Sequence, residues 1–520
     1  MLRNYFNFIY GESWLDRVLL FVLAISIHAI FWTFAPVYFV PNYQIDTMEM
    51  MVIGQNWVIS TFKHPAFQGW VVEIYSILFS RAEFVPYLVS QTACILTAVV
   101  VWFFASKFLS PQLAVLASLT LLSYPYFNSD STIYNNRTFM RLFWVLAIYF
   151  LYFALENNRR RDWIFVGVAL ALGMYCKFTT VVLILTILIF MFFDSRARKH
   201  WRTFNPYITT GVCFLITIPL LIWLIQNYDA MSGYVFNSIG KSETKIWDHF
   251  ISPISFFVKQ FQFILILLIP VYPIIGLRWR FDFTKIFYTQ SGRYLTFFIF
   301  VPLILQLLIA SFCAGDMRGA LGCHLWLLLP TFLLYAVKFT VEREKYGFAF
   351  KLVFINIFVF AVGTIFVYQF SPFITGKGSR YHFAGKDLAR VVDKIWFDNY
   401  STPIPFVRGD DWLTESVCVY SRNCPNVYSE LWATEKQFEQ SGGVLLWLID
   451  DWGKVPKRSI RGCFGNRDFY YSEQTGKPDD WLKQFPNATK FQSIELEQKT
   501  LAKVPSIKIG IAIIPPKKEE

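Results

Sequence analysis

The chain has 520 residues, of which 55% are hydrophobic, 19% aromatic and only 16% charged. A soluble globular protein carries roughly a quarter charged residues, so this composition excludes an ordinary soluble domain and points to a polytopic membrane protein. The formal net charge of +12 does not mark a nucleic-acid binder. Lys and Arg fall in short clusters between apolar runs, which is the pattern of membrane topology.

A bilayer crossing takes about 20 apolar residues, somewhat fewer where short turns join the spans. On this measure spans fall near residues 18–40, 84–105, 111–127, 139–155, 162–175, 178–193, 206–226, 254–276, 294–312, 319–338 and 347–370. This gives a polytopic α-helical protein of about eleven spans. Residues 111–127 and 162–175 are short for a span. No cleavable signal peptide is expected, because 18–40 is too long for the apolar core of one.

Orientation follows from the basic residues. With Arg3 and Arg17 in the cytoplasm, Lys107, Arg159-Arg160-Arg161, the run 196–202, Arg278 with Arg280, and Arg343 with Lys345 all fall inside. Every second connection is then basic. Residues 43–81, the loop 227–253 and everything after about 371 fall outside, giving a transmembrane domain (1–370) and an extracytoplasmic C-terminal domain (371–520).

The first external loop carries the densest chemistry. Asp46 and Glu49 are three apart, so on a helix the two carboxylates share a face. After Lys63-His64-Pro65 comes a second helical pattern, with Phe67, Trp70, Val71, Ile74, Ile77 and Leu78 on one side and Gln68, Glu73 and Ser76 on the other. Such helices between two spans lie in the interface plane. An interfacial carboxylate suits a general base toward a sugar hydroxyl, or a ligand to a hard divalent cation. A merely solvated acid is the plainer alternative. Lys63 and His64 suit a phosphate, or else a headgroup contact and a helix-end hydrogen bond.

Further along, Lys177 sits between two apolar runs, where an ionisable residue either marks a substrate path or snorkels to the interface. Arg137 and Arg141, beside Asn135-Asn136, fall on the same external side. Asp316-Met317-Arg318 and His324 adjoin another external turn, where an Asp316–Arg318 ion pair is an equal explanation. His249 and Lys245 are candidates by position alone. There is no Walker loop, no dinucleotide fingerprint and no Cys-His zinc pattern, and Asn487-Ala488-Thr489 is too short a match to weigh.

The C-terminal part changes character. Residues 385–400 read as a helix with Leu388, Val391, Val392, Ile395 and Trp396 on one face. Residues 405–407, 444–449 and 507–514 read as strands, separated by turns at Gly409-Asp410-Asp411 and Ser441-Gly442-Gly443. A small α/β or α+β domain is expected. Of the eight cysteines, Cys418, Cys424 and Cys463 lie here, and a Cys418–Cys424 disulfide is compatible with an oxidising compartment.

The segments IDTMEMMVIGQNW, FKHPAFQGWVVEIYSILF, FNSDSTIYNNRTFMRLFWVLAIYFLYFAL and WIFVGVALALGMYCKFTTVVLIL occur in this order. Together they resemble the bacterial membrane glycosyltransferases related to protein mannosyltransferases and to the lipid A aminoarabinose transferase. The likeness runs from residue 1 to about 370, and FVRGDDWLTESVCVYSRNCPNVY resembles the C-terminal region of some members. The resemblance implies the C-type glycosyltransferase fold and a bacterial inner-membrane location, with the C-terminal domain periplasmic. It also implies a polyprenyl-phosphate sugar donor and a hydroxyl of an envelope glycolipid, glycan or protein as acceptor. By it, Asp46, with Glu49 as the next acid, is catalytic. Lys177 contacts the donor phosphate, His64-Pro65 matches the family's turn, and Lys63, Arg137 and Arg141 join the phosphate site. Ala66 replaces the family's second proline. Lys63 stands where the aminoarabinose transferase has a metal-binding glutamate, so no metal ligand set is assigned. A transporter or flippase of lipid-linked sugars is the runner-up, although the repeats it would show are missing. A scaffold is third.

Overall fold

The computed structural model describes residues 13–229, 232, 245–276, 281–314, 317–337, 343–427, 435–449, 485–491 and 493–517. Arg3, Arg278, Arg280, Asp316 and Cys463 lie outside the described residues, as does most of the loop 227–253. Among the described residues, seven helices are long and apolar enough to cross a membrane. They are α1 (Trp14–Phe39), α4 (Val85–Ala105), α6 (Thr138–Asn157), α9 (Asn205–Gln226), α10 (Asp248–Ile275), α12 (Gln290–Cys313) and α14 (Arg343–Thr375), with α2 and α3 in the first loop. The capping box of Ser13 and Asp16 starts α1.

The other four expected spans are shorter helices: α5 (Pro111–Thr120), α7 (Arg160–Cys176), α8 (Val181–Phe193) and α13 (Leu329–Ala336). After α5 the chain winds through 3₁₀ turns to Thr132, and a 3₁₀ turn at Gly319–Gly322 precedes α13. Broken backbone at membrane depth survives only where protein covers it. That condition is met: Leu121, Leu122, Tyr124, Phe127, Tyr134, Leu325 and Trp326 are buried. Outward, Phe214, Leu215, Ile225, Phe312 and Phe358 are exposed, forming the apolar surface that lipid would cover.

The connections gather at two ends of the bundle. Asn158 reaches His200 (3.1 Å) and Asn205 (2.7 Å), and Arg293 pairs with Asp194 (3.6 Å), so the basic loops meet at one end. The first loop, Lys177 and the C-terminal domain meet at the other.

In the first loop, α2 (Ile45–Gln55) and α3 (Phe67–Leu78) form as helices, but α3 is not solvated on its polar side. In α3 the face with Gln68, Glu73 and Ser76 is buried, whereas Ile77 is 62% exposed. Two side chains of this face find protein partners that offset their burial: Gln68 donates to the Asn136 carbonyl (2.7 Å), and Glu73 takes a two-pronged contact from Arg81 (2.6 and 3.3 Å).

α2 and α3 cross backbone to backbone at Gly54 and Gly69. A Cβ on Gly54 would lie 2.2 Å from the Gly69 carbonyl oxygen. Gly54→Ala is therefore expected to destabilise the protein by about 1–3 kcal/mol through overpacking, read as a lower thermal midpoint in detergent. Gly211, on α9 with open space around it, is the control: Gly211→Ala should leave the midpoint unchanged or raise it.

Beyond α14 the chain builds one mixed sheet, ordered β2 (Asn426–Val427), β1 (Phe406–Gly409), β3 (Gly443–Leu448), β6 (Ile507–Ile514) and β4 (Thr489–Lys490), with β5 (Ile494–Leu496) also on β6. β1 runs parallel to β2 and β3, and β6 antiparallel to β3, β4 and β5. On one face, Val444, Leu446, Ile507, Ile509, Ile511 and Ile513 pack under α15 (Gly385–Phe397) and α16 (Asp411–Tyr420). On the other, Leu445, Trp447, Ala512 and Ile514 meet Phe438 of α17 (Glu435–Ser441) and Phe485. This alternation is the period of a sheet covered on both sides.

Two expectations change here. Asp411, read as part of a turn, begins α16, and the turn reduces to the single residue Asp410 between β1 and α16. Cys418 and Cys424 are free thiols. Cys418 is buried in the core of this domain, while Cys424 lies in the turn after α16, its thiol directed to the Ser421 carbonyl (3.8 Å).

Candidate functional site

The site is assembled from loop ends that the sequence separates widely. Asp46 and Glu49 occupy the first turns of α2. The following turn is closed by its own hydrogen bonds: Thr61 N–H donates to the His64 carbonyl (2.8 Å), and His64 N–H donates to the Thr61 hydroxyl (3.0 Å). Thr47 accepts from the Tyr134 N–H (3.1 Å), and the Tyr134 hydroxyl donates to the Gln68 carbonyl (2.7 Å). The segment before α6, which carries Asn136 and Arg137, is thereby tied to both helices of the first loop.

Asp46 and Arg137 face each other at 3.9 Å. Lys177 is the extended corner between α7 and the 3₁₀ turn before α8. A Cβ on Gly173 would lie 2.9 Å from the Thr180 side chain, so only glycine lets this corner close so tightly. Burial pushes the Lys177 ammonium down to about 8, helped by Arg137 and Arg318 and opposed by the Cys323 thiol and Asp46. Three cations thus converge on one place from three separate parts of the chain, with one half-exposed carboxylate beside them.

His64 adds hydrogen bonding there, not charge. Burial, then the nearby Lys177, Lys63 and Arg137 charges, hold its imidazole down at about 3, against a smaller opposing pull from Asp46. At neutral pH it is uncharged, and the Asn136 side-chain amide donates to its Nδ1 (2.9 Å). Arg141 lies one helical turn beyond Arg137. It is buried, with its guanidinium over the rings of Phe127 (5.4 Å) and Tyr126 (5.8 Å).

Lys63 points to a second, acidic lobe. Its ammonium lies 3.5 Å from Glu49 and 4.0 Å from Asp411 of α16. Glu415, one turn along α16, is buried beside them. Burial raises its carboxyl well above the usual range, Glu49 adds to this, and Lys63 opposes it. Burial likewise raises Glu49, with Lys63 opposing and Asp46 adding. Among the described residues no three His, Cys, Asp or Glu side chains stand together as a metal-ligand set. The Lys63 ammonium, between Glu49 and Asp411, does not fit a cation site there either.

The C-terminal domain is fastened over this lobe. The Tyr43 N–H donates to the Tyr420 hydroxyl (3.0 Å), their rings stack at 5.4 Å, and Lys386 pairs with Glu83 (2.7 Å).

The structure therefore brings Asp46, Glu49, Lys63, His64, Arg137 and Lys177 to one end of the bundle. It sets apart His249, whose ring meets the Ser311 carbonyl (2.8 Å), and Lys245, whose N–H is capped by Asp248 (3.0 Å). His324 is buried against Trp144 (3.8 Å) and Gln306 (3.0 Å). Sequence reasoning missed Asp411 and Glu415 because it placed the site wholly in the membrane domain. The signal was present: Asp410 stands before an i, i+4, i+7 series at Leu413, Val417 and Tyr420, which marks a helix start. Arg318 was noted at an external turn, with an ion pair to Asp316 as an equal explanation, and was not assigned to the phosphate site.

A family model described as dolichyl-phosphate-mannose-protein mannosyltransferase matches residues 63–223. That stretch contains Lys63, His64, Arg137, Arg141 and Lys177. No curated protein matches. Among solved structures, ArnT from Cupriavidus metallidurans bound to undecaprenyl phosphate aligns over 94% of this chain and 97% of its own, with a TM-score of 0.57 and 12% identity. The same protein in its apo state aligns over 95% and 97%, with a TM-score of 0.51 and 12% identity. The chain therefore has the fold of ArnT, and its residues 63–223 match the protein-mannosyltransferase model.

Proposed function

We propose that this protein transfers a sugar from a polyprenyl-phosphate donor to an acceptor hydroxyl at the outer face of the bacterial inner membrane. The observation that carries the reading is Asp46 paired with Arg137, with both of them and Arg318 close enough to act on Lys177. In the reaction, the acceptor oxygen attacks the anomeric carbon and Asp46 takes its proton. The bond from that carbon to the phosphate oxygen breaks, and the phosphate leaves with the electron pair. Arg137, Lys177 and Arg318 are placed to meet the charge that develops there, in a partly dry site where such contacts count most. Neutral His64 offers a hydrogen bond without competing for the proton.

The ArnT structure was obtained with undecaprenyl phosphate, which supports a lipid phosphate in this fold. An outer-face site has no nucleotide sugar at hand, so a lipid-borne donor is chemically consistent with the orientation. The orientation itself rests on the basic loops at the opposite end. Reporter fusions at Arg160 and Lys517 check it: only the Lys517 fusion should show an exported reporter's activity, and activity at Arg160 would invert the site. The function is tested by mass spectrometry of envelope glycolipids and glycoproteins from cells with and without the gene. One class of glycan should lose one sugar, and identical profiles would count against transfer.

A further inference from the structure

Resting on that reading, we infer that the C-terminal domain builds the acceptor subsite, and that Glu415 hydrogen-bonds an uncharged, hydroxyl-bearing glycan there. The subsite is the acidic lobe: Glu49 from the first loop and Asp411 and Glu415 from α16, around the Lys63 ammonium.

Glu415 is 8% exposed, yet its Oε2 is buried with no hydrogen-bond partner. Around it, Ser416 reaches the Met48 sulfur (3.6 Å), and Tyr420 holds the Tyr43 N–H (3.0 Å). A buried carboxyl oxygen left unpaired beside two further acids marks a place where another group belongs. Burial first, then the nearby Glu49, Asp411 and Asp46, favour a proton on Glu415, against an opposing pull from Lys63. A protonated carboxyl both donates and accepts, which matches a sugar hydroxyl. A phosphate monoester would meet carboxylates here instead, and like-charge juxtaposition rejects such a partner. Donor phosphate and acceptor are thus sorted by charge balance: cations predominate on the Lys177 side, and three carboxyls around the one Lys63 ammonium on the Glu415 side.

The test uses the full chain in nanodiscs, an undecaprenyl-phosphate hexose as donor, and methyl glucoside or methyl glucoside 6-phosphate as acceptor probes. Wild-type protein should favour the neutral glycoside by about tenfold or more in kcat/KM. Glu415→Ala should raise the KM for methyl glucoside about tenfold, while kcat stays within about twofold and the donor KM does not move. Glu415→Gln, which keeps a neutral donor and acceptor, should hold that KM within about threefold of wild type. Asp411→Arg, on a partly exposed side chain, should narrow the discrimination against the 6-phosphate, and it decides the matter if Glu415→Ala does not fold. Preference for the 6-phosphate, an unmoved KM in Glu415→Ala, or unchanged discrimination in Asp411→Arg would each overturn the inference while leaving sugar transfer intact. No transfer by wild type from the lipid donor would instead remove the parent reading, and this subsite with it.

Discussion

Asp46→Asn is expected to lower sugar transfer by about 10²–10⁴-fold, the usual worth of a positioned general base. The protein should still insert and fold, because Asp46 is half-exposed on the first turn of α2 and its ion pair with Arg137 is long, at 3.9 Å. Asn keeps the shape and can still hydrogen-bond, but it cannot take the acceptor's proton. The loss should appear in kcat with the acceptor KM little changed, since the proton moves only in the transition state. Initial rates on purified wild-type and Asp46→Asn proteins, matched by thermal midpoint, check this. A variant within threefold of wild type would exclude Asp46 as the base and favour a scaffold.

The second large effect concerns Lys177. Lys177→Met keeps an unbranched side chain of similar length and removes the charge, so transfer should fall at least about 100-fold, with weaker donor binding. Lys177→Arg keeps the charge in another shape and should retain a reduced rate. Because the ammonium sits near 8 instead of 10.5, its charge is complete below that pH and is lost as pH rises through it. The wild-type kcat/KM for the donor should therefore decline above about pH 8, as a profile that reports free-enzyme groups. In Lys177→Arg that limb should vanish, because a guanidinium keeps its proton. A lysine that only snorkels predicts a different set of results: near-normal activity in Lys177→Met, no high-pH limb tied to this residue, and any defect confined to expression.

The sequence showed most clearly those features governed by local pattern. β6 has the bounds that its alternation implies, and a helix forms at 67–78, where the apolar residues have helical spacing. The likeness in the first loop and around Lys177 led to the residues that now share one end of the bundle. The illegible parts depend on distant partners. A rule of about 20 apolar residues per span cannot see that 121–132 leaves the helix, because burial in protein, not in lipid, permits the break. The buried polar face of α3 has its partners in Asn136, Tyr134 and Arg81. Glu415 reads in sequence as one acid in a remote domain. Its meaning comes from α16 lying against α2, a contact between residues more than 360 positions apart.

Donor identity is the claim on which the catalytic account rests, and reconstituted transfer tests it most directly. Purified protein in nanodiscs would be given an undecaprenyl-phosphate sugar labelled in the sugar, or the matching nucleotide sugar, with an envelope glycolipid and glycoprotein extract as acceptor. Label should pass to the acceptor only from the lipid donor, with one undecaprenyl phosphate released per sugar moved, and Lys177→Met should abolish both. Transfer from the nucleotide sugar, or transfer without release of the lipid phosphate, would contradict that claim.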